Sequence, residues 1–176
     1  MHYRRSLIAG GTYFFTLNLA DRSSDLLVRH MDDLRTVLAQ VKQAHPFTLI
    51  AMVALPEHLH AIWRLPPNDV DYPMRWSLIK AGFSRRIEKT EHVGASRAAK
   101  RERGIWQRRY WEHQIRDESD LARHVDYIHC NPVKHGWVKR PVDWPHSTLH
   151  GYIERKMASP DWGVQTGEED GGFGER

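Results

Sequence analysis

Apolar and polar positions along this chain repeat with two different periods, and the changes of period mark out its elements. After a glycine pair, "TYFFTLNL" from Thr12 to Leu19 is rich in Thr, Tyr and Phe and predicts a first strand. Leu34, Val37, Leu38 and Val41 then recur at spacings of three and four, which predicts a helix from near Met31 that stops before Pro46. The apolar run from Phe47 to Leu55 and the segment from His58 to Leu65 predict two strands joined at Pro56-Glu57 as a tight β-hairpin. Trp76, Ile79, Phe83 and Ile87 restore helical spacing. "GASRAAKRERG" holds neither period and predicts a basic, weakly structured linker, and "IWQRRYWEHQIR" predicts a strand ending near Ile115. A third helix opens on Asp117 as N-cap, with acidic residues in its first turn, and is expected to stop at Asn131-Pro132, because the residue before a proline disfavours the α region.

Strand, helix, strand, strand, helix, strand is the order of an α+β, ferredoxin-like antiparallel sheet with helices packed on one face, here followed by a further helix. With 176 residues the chain suits one domain, expected over 1–155, and the glycine-rich acidic end within 156–176 predicts a flexible tail. No apolar run approaches the roughly 18 residues that span a bilayer, and no signal-peptide pattern opens the chain. The single cysteine, Cys130, excludes an internal disulfide and suits a reducing, cytoplasmic compartment. Charge sharpens this picture. Between Arg75 and Arg116 twelve Lys or Arg face four Glu, a local charge of +8 in a chain of net +4, which points to a polyanion or to a solvated basic face.

The candidate chemistry begins at "ALPEHLHAIWRLP". Residues i and i+2 of a strand share a face, so His58 and His60 present two imidazoles side by side. A chain with twelve histidines yields about one such pair by composition alone. The third helix adds a polar stripe of Asp120, His124, Tyr127 and Asn131, beside an apolar stripe of Leu121, Val125 and Ile128. Two neutral imidazoles and an amide oxygen would bind a divalent cation without cancelling its charge, leaving it electrophilic toward a phosphate oxygen. A neighbouring tyrosine is then a candidate nucleophile, provided its proton, lost from water-exposed phenols only near pH ~10, is accepted locally, for instance by His124. The plainer alternatives are two surface histidines on a core strand, and a half-exposed tyrosine with an asparagine cap.

Taken together, "EHLHAIW", "DLARHVDYIHCNPVKHGWV", the opening "GGTYFFTLNL" and the lead-in "WQRRYWEHQIRD" resemble the IS200-like single-tyrosine transposases, in particular their REP-associated branch. The resemblance runs from about Tyr3 to Tyr152. It implies that His58 and His60 bind the metal, that Tyr127 is the nucleophile, and that Mg²⁺ or Mn²⁺ is the cofactor. Asn131 stands where the IS200 relatives carry a glutamine, as third ligand, with His124 as its competitor. The implied substrate is single-stranded DNA carrying a hairpin, cleaved to a 5′-phosphotyrosine and a free 3′-OH, in a bacterial, nucleoid-associated setting.

For the DNA itself, Trp106, Arg108, Arg109 and Trp111 interleave aromatic and basic groups as single-strand binders do. Arg85 and Arg86 on the second helix, Arg97, Lys100, Arg101 and Arg103 in the linker, and Lys134 after the third helix complete the candidates. The alternative for each is a core aromatic or a rim cation. Glu57 is expected to face away from the histidines as a turn residue, and Cys130 to be an incidental thiol. Three functions compete: a DNA-cleaving enzyme, a catalytically silent hairpin-binding protein, and a zinc hydrolase, for which no H-E-x-x-H is present. Two arrangements stay open, a site completed in cis and a homodimer that swaps the Tyr127 helix, and burial of either histidine in the core would count against a ligand role.

Overall fold

The computed structural model describes residues 7–91, 93–100 and 102–163. In chain order the elements are β1 (Thr12–Asn18), α1 (Leu26–Arg29), α2 (Met31–Ala44), β2 (Thr48–Ala54), β3 (His58–Arg64), α3 (Tyr72–Arg86), α4 (Ala95–Ala98), β4 (Trp111–Gln114) and α5 (Glu118–Lys134), then a 3₁₀ turn (Pro141–Asp143) and α6 (Leu149–Glu154). The four strands form one sheet in the order β2-β3-β1-β4, all neighbours antiparallel. The fold is α+β, and the strand and helix order follows the sequence pattern. Among the described residues no helix is long and apolar enough to cross a membrane.

Alternation along the strands builds two cores. Tyr13, Phe15 and Leu17 of β1 and Leu59, Ala61 and Trp63 of β3 face α2 and α3, meeting Leu34, Val37, Trp76, Ile79 and Phe83. Trp63 is stacked between Phe47 at 4.1 Å and Trp76 at 4.0 Å. Burying aromatic side chains of this size contributes on the order of 2–3 kcal/mol each. On the opposite face, Phe14, Val53 and Ile62 meet Val125 and Ile128 of α5, with Trp144 and Tyr152 closing the edge. Helices therefore cover both faces and not one, with the tyrosine-bearing α5 opposite α2 and α3.

Local chemistry sets the ends. Asp71 accepts from Met74 N at 3.0 Å and Pro73 sits in the first turn of α3, so that helix begins at Tyr72, ahead of its apolar repeat from Trp76. The linker is ordered into the short α4 rather than left irregular. α5 opens as expected, with Asp117 accepting from Asp120 N at 2.8 Å, but does not end at Asn131-Pro132. It continues to Lys134 with Pro132 inside. A proline in the last turn removes one amide donor, and the turn survives because His135 N and Gly136 N still bond back to Asn131 O and Val133 O. Asn131 is thus a buried helix position and not a cap. Residues 156–163 turn back toward α5, bringing the ring of Trp162 within 6.1 Å of His129. The acidic tail expected beyond lies outside the described residues.

Candidate active site

The β1–β3 register pairs Thr16 with His60 and Asn18 with His58. Directly opposed residues share a face, so both imidazoles point to the side that α5 covers. They are fully buried, and the plain alternative of two surface histidines fails. Part of what buries His60 is the apolar core, through Phe14, and by the expectation above that counts against a ligand role; His58 is covered by polar rings. The His60 ring lies 5.2 Å from Tyr127, 5.0 Å from His58 and 5.4 Å from Phe14, and the His58 ring lies 5.0 Å from His135.

Both rings are oriented through Nδ1. His60 Nδ1 and Thr16 Oγ1 are 2.9 Å apart, and His58 Nδ1 is 2.9 Å from Glu57 Oε1. Glu57 does not face away: it lies in the turn before strand alternation begins, so its carboxylate reaches the first histidine. Burial pushes that carboxyl up, but the hydrogen bond and charge of His58, with Arg22 behind, hold it below the ordinary carboxylate range. Burial, joined by the charges of His58, His135, Lys134 and Arg22, drives His60 well below the usual histidine pKa and keeps it neutral. His58 Nε2 is buried with no hydrogen-bond partner among the described residues, an arrangement that costs about 1–3 kcal/mol unless another group satisfies it.

Across this pair α5 presents Tyr127, half-buried, and Asn131, buried one turn on. The Lys134 ammonium sits 4.9 Å from the centre of the Tyr127 ring. Tyr127 meets His60 within the same chain, so no partner subunit is needed for that contact.

His124 goes elsewhere. Its ring stacks on His113 at 4.7 Å and touches Phe14 at 4.8 Å, and its Nδ1 lies 2.7 Å from Asp120 O. His113, Asp120 and His124 present ligand atoms within 4.8 Å of one another, a group that could hold a metal ion. The same atoms also serve the helix start: the Asp120 carboxylate takes Arg116 N at 3.0 Å and pairs with His113 Nε2 at 2.8 Å. Burial raises the Asp120 carboxyl, but those bonds outweigh it and hold it low. His113 carries no periodic signal in the sequence; the β1–β4 register, which pairs it with Phe14, brings it there. His135, which with Lys134 follows Pro132 and is expected from sequence either to touch a phosphate near the site or to stabilise the turn, sets its ring against His58.

The site thus joins a histidine pair on a strand to a tyrosine and an asparagine on a covering helix. No protein-family model matches the chain. The REP-associated tyrosine transposase of Escherichia coli K12 is 47% identical over 160 residues, covering 91% of this chain and 89% of its own length. The chain belongs to the REP-associated tyrosine transposase family. A Haemophilus influenzae relative placed with the same transposases is 42% identical over 163 residues, covering 92% of this chain and 93% of its own. The structure of a REP-associated tyrosine transposase bound to a REP hairpin is 45% identical, with a TM-score of 0.85 over 100% of this chain and 98% of that one.

In this chain the cations picked from sequence separate into two sets. Arg103 is turned inward, donating to the carbonyls of Ser84, Ile87 and Glu88 and to the Glu91 carboxylate. Arg97 donates to Trp106 O at 3.1 Å, Arg108 pairs with Glu102 at 2.8 Å, and Arg86 with Asp33 at 3.5 Å. Trp106 is buried in the α2–α3 core, and Trp111 is half-buried against Phe14 and His113. Arg86 and Arg108 are exposed despite those pairings, as are Arg85, Lys100, Arg109 and Lys134, and Arg101 lies outside the described residues. A groove of about 730 Å³ runs between α3 and residues 102–110, with Lys80, Arg85, Arg97 and Arg108 on its walls.

Proposed function

We propose that this protein is a metal-dependent single-stranded DNA endonuclease and strand transferase, built on a ferredoxin-like sheet, that recognises hairpin-containing, REP-like DNA and cuts it with Tyr127. Its place of action is then the bacterial cytoplasm, on nucleoid DNA. The observation that carries the reading is the Tyr127 ring lying 5.2 Å from His60, while Thr16 and Glu57 occupy Nδ1 of the two histidines. Held in that way through Nδ1, both rings have their tautomer and orientation fixed by these outer partners. The buried His58 Nε2 fits a ligand atom. His58 and His60, with Asn131 as third ligand, would hold Mg²⁺ or Mn²⁺. When bound, that ion polarises a phosphate oxygen and steadies charge on the phosphorus centre.

The remaining chemistry belongs to the chain. The Tyr127 hydroxyl oxygen attacks the phosphorus and forms a new P–O bond as the P–O3′ bond breaks. The phenol gives up its proton, the departing 3′ oxygen gains one, and the products are a 5′-phosphotyrosine and a free 3′-OH. The Lys134 ammonium beside the ring favours the negative charge that develops on the phenol oxygen. Because the phosphotyrosine keeps the bond energy, a 3′-OH can attack it in reverse, and strand transfer needs no ATP. Arg85, Lys100 and Arg109 are the exposed cations best placed to take hairpin phosphates.

The test is a labelled REP hairpin oligonucleotide incubated with the protein and Mg²⁺ or Mn²⁺ and run on a denaturing gel. Wild type is expected to give a covalent adduct, and Tyr127→Phe, His58→Ala and His60→Ala to give none, whereas His124→Ala retains it. Absence of an adduct with wild type over a range of hairpins would leave a silent hairpin-binding protein. An adduct from Tyr127→Phe would move the nucleophile. Loss with His124→Ala but not with His58→Ala would move the ion to His113, Asp120 and His124.

A further inference from the structure

The chain has seven tryptophans, and four of them, Trp63, Trp76, Trp106 and Trp144, are buried. Trp111 and Trp162 are half-buried. Trp137 is 52% exposed and is the one aromatic among the exposed large hydrophobic residues described. A single exposed apolar side chain is ordinary; its position is what singles this one out. It lies two residues beyond His135, whose ring touches His58, and three beyond Lys134, whose ammonium lies over the Tyr127 ring.

Its backbone is fixed. Trp137 N donates to Pro132 O at 2.9 Å, and Gly136 turns the chain there with a φ of +72°, a value side chains rarely adopt. Behind the exposed indole stands Trp144, 6.1 Å away and tilted by 42°, anchored by its own Nε1–H on Ala54 O at 2.9 Å. The flank is basic, with Lys134 and Lys139 exposed on either side. A backed aromatic face, open to solvent at the end of the nucleophile helix and flanked along the chain by two exposed lysines, matches what single-strand binders use: bases stack on the ring and phosphates meet cations.

We propose that Trp137 is a stacking platform for a nucleobase of the single strand next to the cleaved phosphodiester, an inference that rests on the DNA-cleaving reading of the Tyr127 site. Stacking is indifferent to base identity, so this platform sets how the strand lies in the site and not which sequence is chosen.

The experiment measures binding without turnover, in the Tyr127→Phe protein, by fluorescence anisotropy of a labelled REP hairpin with single-stranded extensions and with an abasic site walked along them. Trp137→Ala is expected to weaken binding about tenfold or more, the range of one lost stacking contact, with an unchanged melting temperature; Trp137→Phe keeps most of the affinity. One abasic position should weaken the protein carrying Trp137 and leave Trp137→Ala unaffected. Equal affinity of Trp137→Ala and its parent, or abasic penalties identical in both, overturns the platform alone. Failure of the parent to bind any of the oligonucleotides overturns the DNA reading, and the platform with it.

Discussion

Arg103 shows how far residue type is from residue role. In the sequence it is one cation of "AAKRERG"; in the fold its guanidinium ties the end of α3 to the linker through three carbonyls and the Glu91 carboxylate, which it pulls down to about 2. Removing it leaves those acceptors unmatched, so Arg103→Ala is expected to lower stability by about 1–3 kcal/mol in urea denaturation. Exposed cations should behave oppositely. Arg109→Ala and Lys100→Ala are expected to stay within roughly 0.5 kcal/mol of wild-type stability, while reducing hairpin affinity and flattening its salt dependence by about one counterion each. A stability loss from Arg109→Ala with no effect on binding would reverse that division. The histidine pair was legible as a same-face pair because strand alternation needs only local geometry. The roles of Glu57, His135 and His113 were not, since each depends on a contact made across elements.

At the scale of elements, α2 and α3 approach so closely at Gly82 that an added Cβ would stand 2.7 Å from Val37 Cγ1. Alanine would gain about 1 kcal/mol in helix propensity, but Val37 is buried and β-branched and has little freedom to turn aside. Overpacking costs about 1–3 kcal/mol, so Gly82→Ala is expected to be net destabilising, with Val37→Ala in the same chain recovering much of the loss. Calorimetric melting of the single and double variants decides it. The start of α5 is a second device. Asp117 caps it, and Asp120 ties it to the β4 residue His113, which fixes the helix that carries Tyr127 over the histidines. Periodicity and capping residues located both helices, whereas the end of α5 was misjudged because the proline rule ignores how well the following turn can close.

For the molecule as a whole, acid is the informative perturbation. Burial holds His129 down to about 4 and His60 well below the usual histidine value. Both are depressed relative to the unfolded chain, so the unfolded state binds more protons and stability must fall as pH drops. The contribution is complete above pH ~6.5 and is lost as pH descends through the folded value; for His129 it amounts to at most about 3 kcal/mol. Chemical denaturation at a series of pH values should show a steady loss below pH ~6.5, reduced in His129→Gln. His129 bonds Thr148 Oγ1 at 3.1 Å, and Thr148 holds the outer edge of β2, so charging it would loosen the C-terminal segment from the sheet. A pH profile unchanged by His129→Gln would assign the acid sensitivity to other groups.

The sequence by itself determined the strand and helix order, the apolar faces, the pairing of His58 with His60 and the stripe of Tyr127 and Asn131, because these follow from periods of two and 3.6 residues along a local backbone. Only the tertiary structure decided that α5 lies over the histidine face, that His124 turns to His113 instead, and which arginines remain exposed. Those outcomes rest on pairing register and on hydrogen bonds between segments far apart in the chain, and no local pattern encodes them.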